Sequence, residues 1–137
     1  MRNAIRISCN RHNLKVVRDF VTAFLATYHL SDVLLNQLLV AVDEVVANLI
    51  IHANGEDDSQ FLNLNLSVEN QTFTIEIEDG SSSSYQPSSF REPDLHEFIR
   101  LGKKGGVGMA LVNRIMDRVE FDTANNHNVC RLSKRLS

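Results

Sequence analysis

Inside DEVVANLIIHA, residues 43–53, Glu44, Asn48 and His52 follow one another at four-residue intervals. Spacing of four aligns side chains in one row on a helix. The stretch is otherwise apolar almost all round, so a carboxylate, a carboxamide and an imidazole would lie in line on a greasy helix. An Asn carboxamide oxygen and a Glu carboxylate are hard oxygen groups of the kind Mg²⁺ accepts beside waters and substrate phosphates. A Glu in a partly dry cleft can also take a proton from an attacking hydroxyl. Taken alone, the row reads more simply as the solvated edge of a packed helix.

A second group is Asp79-Gly80, which closes the alternating segment TFTIEIED at 72–79. A carboxylate held at a strand end can accept hydrogen bonds from an exocyclic amine, and a glycine lets a flat ring approach the backbone. Asp-Gly is also among the commonest turn dipeptides. The third group is GKKGGVGMALVNRIMD, residues 102–117. Glycines just ahead of a helix leave backbone N–H groups pointing outward, and a helix N-terminus favours an anion. Lys103 and Lys104 add positive charge where a triphosphate would lie. Neither GxxxxGK[ST] nor a GxGxxG after a strand is present, and a flexible glycine loop joining helices is the alternative reading.

Other chemistry is excluded by spacing. His96-Glu97 begins like HExxH, but position 100 is Arg, so a second zinc ligand is missing. The five histidines (12, 29, 52, 96, 127) show no metal spacing, and Ser81–Ser84 lacks a GxSxG elbow. A net charge of −3 and the lack of basic runs at either end give no expectation of a nucleic-acid or acidic-membrane partner. Cys9 and Cys130 are far apart and are read as reduced thiols of a cytoplasmic protein. Arg2, Arg6 and Asn10 interrupt what would be the apolar region of a signal peptide. The most apolar stretch, 33–51, carries Asn36, Gln37, Asp43, Glu44 and Asn48. A bilayer penalises each mid-span acid by roughly 3 kcal/mol, which points to a buried helix of a soluble domain.

Those groups need elements to hold them. At 137 residues, 43% apolar and 23% charged, the chain reads as one ordinary domain able to bury a real core. Residues 4–9 alternate as a short strand. Leu14, Val17, Phe20, Val21, Phe24, Leu25 and Tyr28 recur at helical spacing over 13–29. Ser31 caps a longer helix that runs to about Ala53 and is stopped by Asn54-Gly55. Segments 60–68 and 72–79 alternate and read as a hairpin. A polar, serine-rich loop follows from Gly80, with one helical turn expected at Asp94–Arg100. The glycines between 102 and 108 then open a third helix, and strands are expected at 118–123 and 128–136. The order β-α-α-β-β-loop-α-β-β predicts an α+β fold, a two-layer sandwich with helices on one face of a mixed, mostly antiparallel sheet.

In this order the three groups resemble the N, G1 and G2 boxes of the GHKL (Bergerat-fold) ATPases, and within them the bacterial anti-sigma-factor serine/threonine kinases. LLVAVDEVVANLIIHA is similar to that group's ExxxNxxxHA helix, and GKKGGVGMALVNRIMDRVEF to its (R/K)GGLGxxLxxxxMDxVEY segment. The resemblance covers nearly the whole chain and implies a single ATP-binding kinase domain over 1–137, with an ATP lid at about 80–104. It implies that Glu44 is the general base and that Asn48 holds Mg²⁺ against the phosphates. Asp79 would read the adenine amino group beside Gly80. Lys104, Gly105, Gly106, Val107 and Gly108 would wrap the triphosphate, and His52 would support the helix end. One departure is visible: the G1 pattern DxGxxFDP meets Asp79-Gly80-Ser81-Ser82-Ser83-Ser84-Tyr85-Gln86-Pro87, with Ser81 in place of the second glycine.

The function so implied is phosphorylation, with ATP and Mg²⁺, of a serine or threonine on a STAS-domain anti-anti-sigma protein. It is coupled to sequestration of a sigma factor or other output protein, by a homodimer. A non-catalytic partner-switch module with weakened ATP binding is the second reading. A detached histidine-kinase catalytic domain is the third.

Overall fold

The computed structural model describes residues 3–79, 103–124 and 127–136. In chain order these form β1 (Ala4–Ser8), α1 (Asn13–Leu25) with a 3₁₀ turn at Ala26–Tyr28, and α2 (Asp32–Asn48) continued by a π-helical turn at Leu49–Ala53. There follow β2 (Phe61–Glu69), β3 (Thr72–Asp79), α3 (Lys103–Ile115), β4 (Arg118–Ala124) and β5 (His127–Arg135). The expected turn at Asp94–Arg100 and most of the expected lid lie outside the described residues.

The strands make one five-stranded sheet in the order β1-β2-β3-β5-β4. Among the described residues every pairing is antiparallel, so the sheet they form is not mixed. The reason is that β5 inserts between β3 and β4. Those two strands run the same way, but each pairs with β5 and not with the other. Alternation then sorts the side chains. Ile7, Leu62, Leu64, Leu66, Phe73, Ile75, Ile77, Cys130 and Leu132 are buried on one face, while Asn65, Ser67 and Glu69 on β2 are exposed.

The helices cover the apolar face. α1 contributes Val17, Val21, Phe24 and Leu25; α2 contributes Leu38, Ala41, Val42, Val45 and Val46; α3 contributes Met109 and Val112. Each fully buried Leu, Ile or Phe contributes on the order of 1.5–3 kcal/mol. The α2 segment Asp32–Ala53 is long and apolar enough to cross a membrane by length and composition. Here it is the central core helix, with Leu38, Val46 and Ile50 wholly shielded at 0% exposure.

Local signals explain the boundaries. The Ser31 hydroxyl accepts the Leu34 N–H at 3.1 Å and caps α2. Gly55 takes φ +59 just after it, which a glycine adopts without steric cost. α1 ends earlier than its periodicity indicates: it tightens into the 3₁₀ turn and stops where His29 adopts φ 54. α3 starts earlier than expected, at Lys103, so Gly105, Gly106 and Gly108 lie within its first two turns and not ahead of it. Each glycine costs about 1 kcal/mol there relative to Ala, and burial of Met109 and Val112 on the same helix offsets that cost.

Candidate nucleotide site

Asp79 occupies the fourth inward position of β3, after Phe73, Ile75 and Ile77. It is 1% exposed, and its ladder partners are Leu62 on one side and Asn128 on the other. Asn128 is the other buried polar residue at this end of the sheet. A carboxylate so shielded needs hydrogen-bond partners. One of those partners is Asn54, whose Nδ2 donates to Asp79 Oδ2 at 3.2 Å.

Asn54 reaches Asp79 because α2 does not end as an α-helix. At Leu49–Ala53 the turn widens, and the Asn54 backbone N–H donates to the Leu49 carbonyl at 3.1 Å, five residues back. The Asn54 side chain donates to the same carbonyl at 2.8 Å. Glu56 N–H then closes on the Ile50 carbonyl at 2.8 Å. Single π turns are frequent at functional sites.

Glu44 and Asn48 keep true α spacing on α2 and are both half-buried, Glu44 between the buried pairs Ala41-Val42 and Val45-Val46 and Asn48 between Val45-Val46 and Leu49-Ile50. Neither makes a side-chain hydrogen bond or ion pair among the described residues. The contrast with the adjacent Asp43 is direct, since Asp43 accepts from Arg18 Nη1 of α1 at 3.0 Å and ties two helices together. His52 falls in the π turn, where the wider winding turns it off the row, and it is exposed. The three-residue row is therefore a two-residue row plus a helix-end histidine.

The glycine-rich segment forms the start of α3, which packs against α2. The first backbone N–H groups of a helix have no intrahelical acceptor and make an anion-favouring end. Residues 103–106, which include Gly105 and Gly106, hold those positions, with Val107 and Gly108 just behind. Gly80 lies outside the described residues.

Two thiols flank this region. Cys9 is buried where β1 ends, its N–H donating to the Gln60 carbonyl at 2.9 Å. Burial, and then the nearby charge of Asp79, push its thiol up to about 12. Cys130 is raised to about 12 by burial as well. Both are free, as their separation in the sequence indicated.

Sequence reasoning placed Glu44, Asn48 and Asp79 correctly on their elements but read Asn54 only as a helix stop. The available signal was its position directly after the HA of the helix motif, one residue before a glycine. Asn128 had no such signal: a lone Asn opening a strand looks like an edge residue.

Residues 7–134 match the family described as the histidine kinase-like ATPase domain. The chain belongs to that family. A histidine kinase-like ATPase domain implies nucleotide binding, generally with Mg²⁺. Its fold is similar to part of the crystal structure of the RsbU and RsbW domains of Rv1364c from Mycobacterium tuberculosis. The TM-score is 0.63 and the identity 11%, over 98% of this chain and 33% of that one. The chain thus spans about one third of that relative's length. No curated protein sequence matches. The α+β architecture and the GHKL resemblance read from the three boxes are borne out together.

The donor set fits the expected ligands of such a domain. Among the described residues no cluster of three or more His, Cys, Asp or Glu could cage a metal ion. A half-buried Asn oxygen beside a half-buried carboxylate suits Mg²⁺, which keeps waters and takes most of its other ligands from phosphates. A buried carboxylate suits a purine amine, which is a donor only.

Proposed function

We propose that the protein is an anti-sigma-factor-type serine/threonine protein kinase, a single ATP-binding domain over 1–137 with residues 80–104 as its lid. The observation that carries this reading is the pairing of Glu44 with Asn48. Both are half-buried and without polar partners among the described residues, on the helix whose end Asn54 ties to the buried Asp79. Asn54 lies six positions after Asn48, roughly 9 Å along the axis at the α-helical rise of about 1.5 Å per residue. That length suits a nucleotide with its base at Asp79 and its phosphates toward Asn48.

In this reading Asp79, with Gly80 beside the ring, accepts from the adenine amino group. Asn48 holds Mg²⁺ against the phosphates, and the ion supplies charge neutralisation for the transferred phosphoryl group. Lys104, Gly105, Gly106, Val107 and Gly108 wrap the triphosphate with backbone N–H groups and one cation. Glu44 aligns the acceptor hydroxyl and takes its proton, which is the main covalent chemistry left to the protein in phosphoryl transfer. The acceptor is a serine or threonine of a STAS-domain anti-anti-sigma protein. The second partner is a sigma factor or similar output protein, and the working form is a cytoplasmic homodimer. No nucleic acid or membrane partner enters the scheme.

Incubation with labelled ATP, Mg²⁺ and STAS-domain proteins encoded nearby tests it. The expected product is an acid-stable phosphoserine or phosphothreonine. An acid-labile product would instead support a detached histidine-kinase catalytic domain. Calorimetry with Mg²⁺-ATP separates the kinase from a non-catalytic partner-switch module, a reading favoured by Ser81 in place of the second G1 glycine. Micromolar binding removes that alternative, and its absence removes the kinase.

A further inference from the structure

We infer that Asn54 is a positioning residue that pins the Asp79 carboxylate and thereby sets the preference for a 6-amino over a 6-oxo purine. The inference rests on the proposed role of Asp79 as the adenine reader. A primary carboxamide has two N–H bonds on one nitrogen. In Asn54 one is directed to the Leu49 carbonyl at 2.8 Å and the other to Asp79 Oδ2 at 3.2 Å. The residue is held a third time by its own backbone N–H on the same carbonyl. Leu49 follows Asn48 directly in the chain. The amide therefore bridges the helix end that carries the phosphate-side residue and the strand end that carries the base-side residue.

The physical consequence concerns freedom. The ladder fixes the backbone of Asp79 and leaves the orientation of its carboxylate to its hydrogen bonds, that from Asn54 among them. A hydrogen bond from a rigidly anchored donor removes much of the carboxylate's freedom to turn. It uses only one of about four acceptor sites on the carboxylate. Acceptance of an exocyclic amine gains from this, because the acceptor is already aimed.

Rejection gains more. A 6-oxo purine brings a carbonyl oxygen against the carboxylate, acceptor against acceptor. A carboxylate free to swing can relieve that repulsion, and a pinned one cannot. Discrimination between ligands often depends on such a built-in penalty against the wrong one. Asn54 is thus a specificity residue acting through Asp79, distinct from the groups that handle the phosphates.

The experiment compares Mg²⁺-ATP with Mg²⁺-ITP, which differ at the 6-position, by calorimetry on the wild type, Asn54→Ala and Asn54→Leu. The leucine variant keeps the bulk and removes both N–H bonds. The expected result is a fall of about tenfold in the ATP-to-ITP affinity ratio in both variants, the size of one charge-assisted hydrogen bond. ATP binding weakens and ITP binding strengthens, the larger change being in ITP, because release of the carboxylate removes the clash with the 6-oxo group. An unchanged ratio in variants that melt cooperatively overturns the inference and leaves the reading of Asp79 standing. A wild type that does not prefer ATP to ITP, or binds neither, overturns both. A measurement independent of variant folding uses the wild-type Asn54 side-chain ¹⁵NH₂ resonances. ATP is expected to shift them more than ITP does, and equal shifts overturn the role.

Discussion

β3 leaves the turn at Asn70-Gln71, where both residues are exposed and left-handed with φ 51 and 62, and ends by delivering Asp79 to the interior at 1% exposure. At the turn end, both side chains are exposed and the difficulty is conformational, since non-glycine residues in the left-handed region cost about 1–2 kcal/mol each. At the far end, the backbone is regular and the difficulty is electrostatic. A buried carboxylate without partners costs several kcal/mol, so the protein supplies Asn54 and the π turn that aims it. Strain at one end makes a hairpin; polarity at the other makes the site proposed to recognise the base. The two ends should respond to mutation in opposite ways.

The largest expected effect lies on the site side. Glu44→Ala should lower phosphotransfer by about a hundred- to ten-thousandfold, the range for loss of a general base. Mg²⁺-ATP affinity by calorimetry and the thermal midpoint should both stay near wild type, because Glu44 is half-buried and bonds to no described residue. Equal transfer rates for variant and wild type would sink the assignment of Glu44.

Next in size is Asp79→Leu, which continues the apolar row of Phe73, Ile75 and Ile77 by one position. Losing the proposed charge-assisted acceptor for the purine amine should weaken ATP binding by about ten- to a hundredfold. Stability should not fall by more than about 1 kcal/mol, because replacing a buried charge by a packed apolar group is often neutral or favourable. That gain is partly offset by the Asn54 N–H left without its acceptor. Urea denaturation with and without Mg²⁺-ATP reads both quantities. A large loss of stability with binding retained would reverse the comparison and make Asp79 a structural residue.

How far the sequence reveals this division follows from periodicity. Ile75 and Ile77 announce an inward face, so a carboxylate two residues further on in the same phase is a visible anomaly, and Asp79 was legible. Glu44 and Asn48 were legible for the parallel reason that they interrupt an apolar helix at the helical period. The π turn was not legible, because Leu49–Ala53 has the composition of any buried helical turn. The extra residue in that turn follows from where Asn54 can find acceptors in three dimensions. The helical start at Lys103 was hidden as well, since glycines argue for a loop until tertiary packing overrides them. The order of the sheet, with β5 inserted between β3 and β4, is a long-range outcome that no local pattern carries.

At the turn end the expected changes are smaller and of opposite sign. Gln71→Gly relieves about 1–2 kcal/mol of left-handed strain and returns about 0.5–1 kcal/mol through the greater freedom of glycine in the unfolded chain. The net is a stabilisation of about 0.5 kcal/mol, or a rise of roughly 2 °C in the thermal midpoint. Asn-Gly is also the preferred pair for a two-residue hairpin of this hand. Mg²⁺-ATP affinity should not change. A loss of affinity in Gln71→Gly would mean that the two ends are coupled through β3 and not independent.

The smallest effect belongs to the sheet face between the two ends. Arg131 Nε lies 2.7 Å from Glu76 Oε2 across the β3–β5 ladder, shorter than the contact of Asn54 with Asp79. Distance alone would rank it higher. The side chains are 38% and 40% exposed, so water already solvates both partners and salt screens their attraction. Arg131→Ala should therefore cost less than about 1 kcal/mol. Most of that cost should disappear in 1 M NaCl, where the screening length falls to about 3 Å. A loss well above that value, persisting at high salt, would show that this pair behaves as a buried one. It would then be exposure, and not bond length, that fails to separate the structural polar contacts of this sheet from the one proposed to be functional at Asp79.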